Sequence, residues 1–210
     1  MDKLLTVVIP SYNVEKFLNQ TLDSFVCDEV AMKKFEVIVV DDGSKDNTAK
    51  IGKEYADKYP DTFRVISKEN GGHGSTINCG IRNAVGKYFK VVDGDDWVNT
   101  ADFVKLVEDL EKTESEYVFT NYYEYYDDVN RQKAVDFPQF KDGTEYDFAD
   151  VANKVCIPMH ALVIKTSVLK DNNIVIDEKC FYVDVEYVMF PVPFVNKVTF
   201  FDLHVYMYRL

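Results

Sequence analysis

Three apolar runs, Leu4–Ile9, Phe35–Val40 and Tyr88–Val92, constrain the fold of this chain more than any other feature. Each is rich in β-formers and nearly uninterrupted, the pattern of a strand buried on both faces. Helix-length segments separate them, which implies right-handed crossovers and a largely parallel α/β sheet flanked by helices. Helices are expected near Val14–Val26, Asn47–Tyr59, Ser75–Val85 and Ala101–Lys112, with a further strand at Phe63–Ser67. The three runs also end alike, in Pro10-Ser11-Tyr12-Asn13, Asp41-Asp42-Gly43-Ser44 and Asp93-Gly94-Asp95-Asp96. Asn13 stands where it can cap the helix that follows. Ligands of open α/β sheets bind outside the carboxyl ends of the strands, so these three endings point to one site.

Asp93 and Asp95 sit two residues apart and share a side if the extended backbone continues through Gly94. Carboxylates crowded this closely repel unless a cation or hydrogen-bond donors compensate. Hard divalent ions such as Mg2+ and Mn2+ take oxygen ligands of this kind. Asp-Gly is also ordinary turn chemistry, so the segment alone reads equally as metal site or acidic turn. The two other polar strand endings tip the balance toward a site.

The chain has 210 residues, 47% of them hydrophobic, enough for a substantial core and inconsistent with disorder. With 36 acidic against 24 basic side chains its net charge is -12, which argues against nucleic acid as a partner. Binding phosphates would then need a cation or a few local basic groups. Cys27, Cys79, Cys156 and Cys180 lie far apart, as expected for reduced thiols in a cytoplasmic protein rather than a metal-ligand set. No stretch approaches the roughly 20 apolar residues of a membrane span, and Leu4–Ile9 is too short for a signal core. Tyr117–Tyr126 carries rings on both faces of a strand, as sheet core or as the wall of an acceptor pocket. Without a linker or a repeat, residues 1–210 read as one domain whose halves are 1–97 and 98–210.

Val7–Asn13, Val37–Thr48, Glu69-Asn70-Gly71-Gly72 and Asp93–Asp96, in this order and spacing, resemble the signatures of family 2 glycosyltransferases. The resemblance covers at least Leu4 to Trp97 and continues more weakly to Asp184. It implies a GT-A fold, with a Rossmann-like, mainly parallel sheet and a smaller mixed or antiparallel acceptor-side portion. It also implies a nucleotide-diphosphate sugar donor, UDP-sugar being the commonest, and inversion at the anomeric carbon. Pro10, Ser11 and Tyr12 would border the nucleobase with Asn13 beside them, and Asp41 would accept a hydrogen bond from the base. Asp93 and Gly94 would lie against the sugar nucleotide. Asp93 and Asp95 would hold Mn2+ or Mg2+, Asp96 being the alternative ligand. A saccharide or glycolipid acceptor is implied on the other side.

Gly71 and Gly72 precede a helix, which invites a phosphate-cradle reading, and the resemblance sets this loop beside the nucleotide. His73, where many relatives have a small residue or valine, would touch a phosphate or face solvent. Arg82, one turn beyond Asn78 on the same helix face, would reach the nucleotide or pair with an acidic neighbour. Asp184 corresponds to the family's catalytic base, although this chain has Val183-Asp184 where many relatives have Glu-Asp. Glu186 is the base if the register is shifted by two, and His160 lines the acceptor side or is a structural histidine. Relatives usually continue past Leu210, so further C-terminal helices are expected, and with them contact at the inner face of the cell membrane. Rival readings are a phosphoacceptor receiver, a nucleotidyltransferase and a non-catalytic sugar-nucleotide module. Receivers are much shorter, and the basic glycine-rich loop of nucleotidyltransferases is absent.

Overall fold

A computed structural model describes residues 3–210 of the chain. Its first half alternates strands and helices: β1 (Leu5–Ser11), α1 (Leu18–Asp23), α2 (Glu29–Met32), β2 (Phe35–Asp41), α3 (Thr48–Lys58), β3 (Phe63–Ser67), α4 (His73–Asn83) and β4 (Tyr88–Val91). The four strands pair in parallel, β1 lying between β2 and β4 with β3 outside β2. In the second half come β5 (Trp97–Val98), α5 (Thr100–Asp109), β6 (Tyr117–Tyr126), β7 (Arg131–Val135), β8 (Thr144–Asp147), α6 (Phe148–Val151), β9 (Leu162–Lys165), α7 (Thr166–Asp171), α8 (Val183–Met189) and β10 (Lys197–Arg209). The sheet continues without a break in the order β3-β2-β1-β4-β9-β6-β10-β5, with β7 beside β6 and β8 beside β10. Strand β9 runs antiparallel to both β4 and β6, whereas β6 and β10 are parallel.

Side-chain alternation divides the apolar runs between two cores. Val8, Ile38, Val40, Phe89 and Val91 pack with Ile77 and Ile81 of α4, Leu169 of α7 and Tyr187 of α8. Their strand neighbours Leu5, Val7, Ile9, Val37 and Val39 point to the opposite face, against Leu18 and Leu22 of α1 and Phe103 and Leu106 of α5. This two-sided burial is why the strands read as continuous apolar runs rather than as alternating ones.

The first helix is shorter than its sequence pattern implies. The amides of Val14 and Glu15 donate to Thr48 Oγ1 (2.9 Å) and Asp46 Oδ2 (3.1 Å), so the backbone ahead of Leu18 is tied to the loop after β2. Asn13 does not cap α1. It takes a left-handed φ of 55°, and its Oδ1 accepts from the Lys45 amide at 2.8 Å. Helix α4 starts at His73, two residues before the sequence suggests, and α5 ends in a 3-10 turn over Leu110–Lys112. No helix among the described residues is long and apolar enough to cross a membrane.

Lys90 of β4 is fully buried, and its ammonium donates to the carbonyls of His160 (2.8 Å) and Leu162 (3.2 Å). Burial pushes its pKa down to about 7. These two bonds bind the last parallel strand of the first half to the approach to β9, next to the end of the sheet where the polar strand endings gather.

Helix α4 lies close against β1 because Gly80 faces Val8: a Cβ at Gly80 would stand 2.4 Å from Val8 Cγ2. Alanine normally favours a helix over glycine by about 1 kcal/mol, but here overpacking against a stiff, buried valine costs about 1–3 kcal/mol. Gly80→Ala should therefore lower the denaturant midpoint, and adding Val8→Ala should cost less than the same change in the parent chain. A Gly80→Ala protein at least as stable as the parent would show that the contact is not tight.

Candidate active site

Pro10, Ser11, Tyr12, Asp42, Asn70, Gly72 and His73 line one cavity of about 510 Å³ at the carboxyl ends of β1 and β2, and Lys179 and Phe181 wall it from the second half. Tyr12 presents a half-exposed ring to it, whereas Ser11 is buried and spends its hydroxyl on the Ile9 carbonyl at 3.1 Å. Asn13 lies just beyond, holding the loop after β2 through Lys45 and Ser44. Asp41 is buried at the end of β2, and its Oδ1 accepts from the Ser44 amide at 3.0 Å. Among the described residues no donor reaches its Oδ2.

The glycine-rich loop is organised differently from a phosphate cradle. The amides of Gly71 (3.0 Å) and Gly72 (2.8 Å) donate to the two carboxylate oxygens of Asp42, which also accepts from Lys68 Nζ at 2.6 Å. An internal carboxylate thus occupies the position an anionic ligand would take. Gly71 also spends its carbonyl on the Lys179 amide at 3.0 Å, while Gly72 lines the cavity with a φ of 83°. Asp42 was not foreseen; its signal is that it follows Asp41 directly, so the two acids leave the strand on opposite sides. Arg82 is not brought to the cavity. It is exposed, and borders a separate depression with Asn78, Leu169 and Lys170.

The acidic loop after β4 is held from the last strand. Tyr206 accepts at its hydroxyl from the Asp93 amide (3.1 Å) and donates to Asp96 Oδ2 (2.6 Å), and the Arg209 amide donates to Asp96 Oδ1 (2.8 Å). Both Asp96 oxygens are therefore taken, and burial pushes this carboxyl up to about 8 against the pull of those hydrogen bonds. Asp96 anchors the loop to β10. Gly94 is also structural: its amide donates to the Pro10 carbonyl (3.2 Å), its carbonyl accepts from Thr21 Oγ1 (3.0 Å), and a Cβ there would meet Pro10 O at 2.9 Å. Asp93 and Asp95 remain, half-buried and exposed respectively. Loss of water and the charge of Asp93 raise the pKa of Asp95. Asp95 and its neighbour Asp93, close enough for the charge of one to act on the other, form an oxygen donor set that fits Mn2+ or Mg2+.

His73 links cavity and acidic loop: its Nε2 lies 2.9 Å from Asp93 Oδ1. Burial alone would lower its pKa, but the Asp93 hydrogen bond and the charges of Asp93, Asp184 and Asp95 raise it. The histidine is thus neither simply solvent-exposed nor isolated. Asp184 stands half-buried in the first turn of α8, close enough for its charge to act on His73, His160 and Tyr208. Tyr182 precedes α8 in a left-handed conformation and no side chain caps the helix, so Asp184 does not serve as its cap. Glu186 is committed to the Asp177 amide at 2.8 Å. His160 stacks on Tyr208 with ring centroids 4.0 Å apart, edge-on to Tyr206 at 5.0 Å. Burial holds its imidazole down to about 4, which leaves it neutral at pH 7. Tyr206 and Arg209, which seat the acidic loop, carry no local motif that could have singled them out.

If Asp42 organises the glycine loop, Asp42→Asn, which keeps shape but turns one acceptor into a donor, should orphan an amide and lose the Lys68 partner. The expected cost is about 1–3 kcal/mol, with faster amide hydrogen exchange confined to Gly71, Gly72 and the start of α4. Unchanged exchange at those amides would remove this role.

Residues 6–172 match the family described as Glycosyl transferase family 2. EpsJ from Bacillus subtilis (strain 168), named an uncharacterized glycosyltransferase, is 37% identical over 123 residues, which are 59% of this chain and 35% of EpsJ. The minor teichoic acid biosynthesis protein GgaB of the same organism is 33% identical over 111 residues, 53% of this chain and 12% of GgaB. The chain thus spans about a third or less of these relatives. Among solved structures, S. aureus TarS 1-349 in complex with UDP-GlcNAc superposes with a TM-score of 0.81 at 23% identity, covering 99% of this chain and 58% of that one. Mannosyltransferase PcManGT from Pyrobaculum calidifontis, in complex with GDP-Man and Mn2+, gives 0.70 at 18% identity, covering 99% and 57%. With the signature strand endings gathered at one end of a GT-A sheet and the match running from Thr6 to Asn172, the chain belongs to glycosyl transferase family 2.

Proposed function

We propose that residues 1–210 form one domain of an inverting glycosyltransferase that moves a hexosyl or N-acetylhexosaminyl group from a UDP-sugar to a hydroxyl of a cell-envelope saccharide or glycolipid. The observation that carries this reading is the junction of three parts: the cavity lined by Tyr12 and His73, with Asp41 buried at the end of the neighbouring strand, the Asp93/Asp95 pair reached through His73, and Asp184 on α8. The UDP-GlcNAc bound by TarS and the teichoic acid named for GgaB support the same donor and acceptor classes. Asp41 favours uracil in particular. With Oδ1 occupied by Ser44, a single oxygen is left, which suits the one ring N–H of uracil rather than the two donors on guanine's edge.

In the proposed reaction the acceptor oxygen attacks the anomeric carbon from the face opposite the diphosphate. The new C–O bond forms as the bond from that carbon to the phosphate oxygen breaks. Asp184 takes the acceptor's proton as general base, and the nucleoside diphosphate leaves with the electron pair. Asp93 and Asp95 would hold Mn2+ or Mg2+, which when bound neutralises charge on the diphosphate. His73 keeps Asp93 oriented, and Tyr206 and Arg209 keep the acidic loop in place beneath it. Asp96, bonded on both oxygens, adds no free ligand.

Titration calorimetry with Mn2+ tests the base pocket. UDP should bind better than CDP by about 1–3 kcal/mol, the worth of one buried hydrogen bond to a charged acceptor, and Asp41→Ala should erase the preference. Equal affinities in the parent would remove the uridine assignment.

Asp184→Asn tests the base. It keeps side-chain size but cannot accept the proton, so UDP-sugar binding should persist while release of UDP to a saccharide acceptor slows by about 10²–10⁴-fold in the full-length protein. Turnover near the parent rate would exclude Asp184.

A further inference from the structure

The segment between α7 and α8 belongs by position to the second half, yet its backbone lies directly on the glycine-rich loop. Asn78 of α4 holds Ile176 at both backbone groups, donating to its carbonyl at 2.8 Å and accepting from its amide at 2.9 Å. The Lys179 amide donates to the Gly71 carbonyl at 3.0 Å. A Cβ on Gly72 would stand 3.1 Å from Lys179 N, and one on Gly74 only 2.0 Å from Asp177 O. Glycine is needed at these two positions because another backbone passes against them. Beyond this anchor, Lys179 and Tyr182 both adopt left-handed φ values, of 59° and 63°, and the chain turns Phe181 to the cavity already walled by Pro10, Ser11 and Tyr12.

Phe181 is 90% exposed and Tyr12 47% exposed, although the protein has ample buried core for aromatic rings. Two solvent-facing rings line this one cavity, and Lys179 lines it as well. Aromatic side chains stack on nucleobases irrespective of the base's hydrogen-bonding edge.

Resting on the reading of this cavity as the donor site, we propose that Phe181 is the second stacking wall for the donor nucleobase, opposite Tyr12. The base then binds between the first strand ending and the segment that leads into α8, and occupancy of the cavity orders the residues immediately ahead of Asp184. The donor site is on this view bipartite: Asp41 and Tyr12 come from one half of the chain, Phe181 and Lys179 from the other.

The test is calorimetric titration of UDP and of inorganic pyrophosphate, each with Mn2+, into the parent chain, Phe181→Ala and Phe181→Trp. An exposed side chain can be replaced without loss of fold, which circular dichroism checks. Loss of one stacking wall should weaken UDP binding by about 10-fold, in the range measured for single base–aromatic stacks, and leave pyrophosphate binding unchanged. Phe181→Trp should retain UDP affinity and show indole fluorescence quenched by UDP beyond any change at Trp97 seen in the parent. A parent that binds UDP with no loss in Phe181→Ala overturns this inference and leaves the donor-site reading standing. Equal losses for UDP and pyrophosphate also overturn it, because the ring would then act on the loop and not on the base. A parent that binds no UDP overturns the donor-site reading and the inference together.

Discussion

The hydroxyl of Tyr206 is the point on which the acidic end of the sheet depends. This tyrosine is fully buried near the end of β10 and reaches across to two positions of the loop after β4, the Asp93 amide and the Asp96 carboxylate. Its ring lies under the Lys90 ammonium at 5.3 Å and edge-on to His160. One side chain from the last strand thereby connects the loop that presents Asp93 and Asp95, the buried lysine that ties β4 to the approach to β9, and the histidine on the far side. A buried polar network of this kind is tolerated only when its members satisfy one another, which also makes it specific about geometry. Arg209 completes the arrangement. It donates to the Asp95 carbonyl at 2.7 Å and to both oxygens of Asp127 at 2.6 Å, packed between the rings of Phe17 and Trp97.

Charge economy explains why so acidic a chain can keep an acidic centre. Asp42 is neutralised by Lys68 and the glycine amides, and Asp96 by burial that favours its protonated form. Asp93 shares its charge with His73, whose pKa rises in return. Asp93, Asp95 and Asp184 keep partly solvent-facing carboxylates close enough for all three charges to act on His73.

Most of the first half was legible because local patterns and tertiary structure agree there. The runs at Leu4–Ile9 and Phe35–Val40 became β1 and β2, Phe63–Ser67 became β3 residue for residue, and the endings of β1 and β2 line one cavity, which His73 links to the acidic loop after β4. The second half was less legible because its pairings are non-local: β6 joins β10 in parallel across some eighty residues, with register shifts near His204, and nothing in either segment names its partner. The errors have physical causes. Asn13 has the residue type of a cap, but the competing loop 44–48 takes the amides of Val14 and Glu15 that follow it. Gly71 and Gly72 have the composition of a phosphate loop, but Asp42 fills their amides from within. Arg82 shares a helix face with Asn78 as periodicity demands, yet that face turns toward α7.

Asn78 ties the two halves of the chain together although they are far apart in sequence. Its amide group satisfies both backbone groups of Ile176 as a neighbouring strand would, so residues almost a hundred positions apart behave as one local unit. The start of α8 is then located by α4, and α4 by the close approach of Gly80 to Val8 in β1. A displacement of α4 would therefore carry His73 and the approach to Asp184 with it, and would pull on the Asp42 bonds that hold the glycine loop to the end of β2. The placement of Asp184 against Tyr12 is consequently set in part by how tightly one helix packs on one strand, a property of the core that neither residue carries by itself.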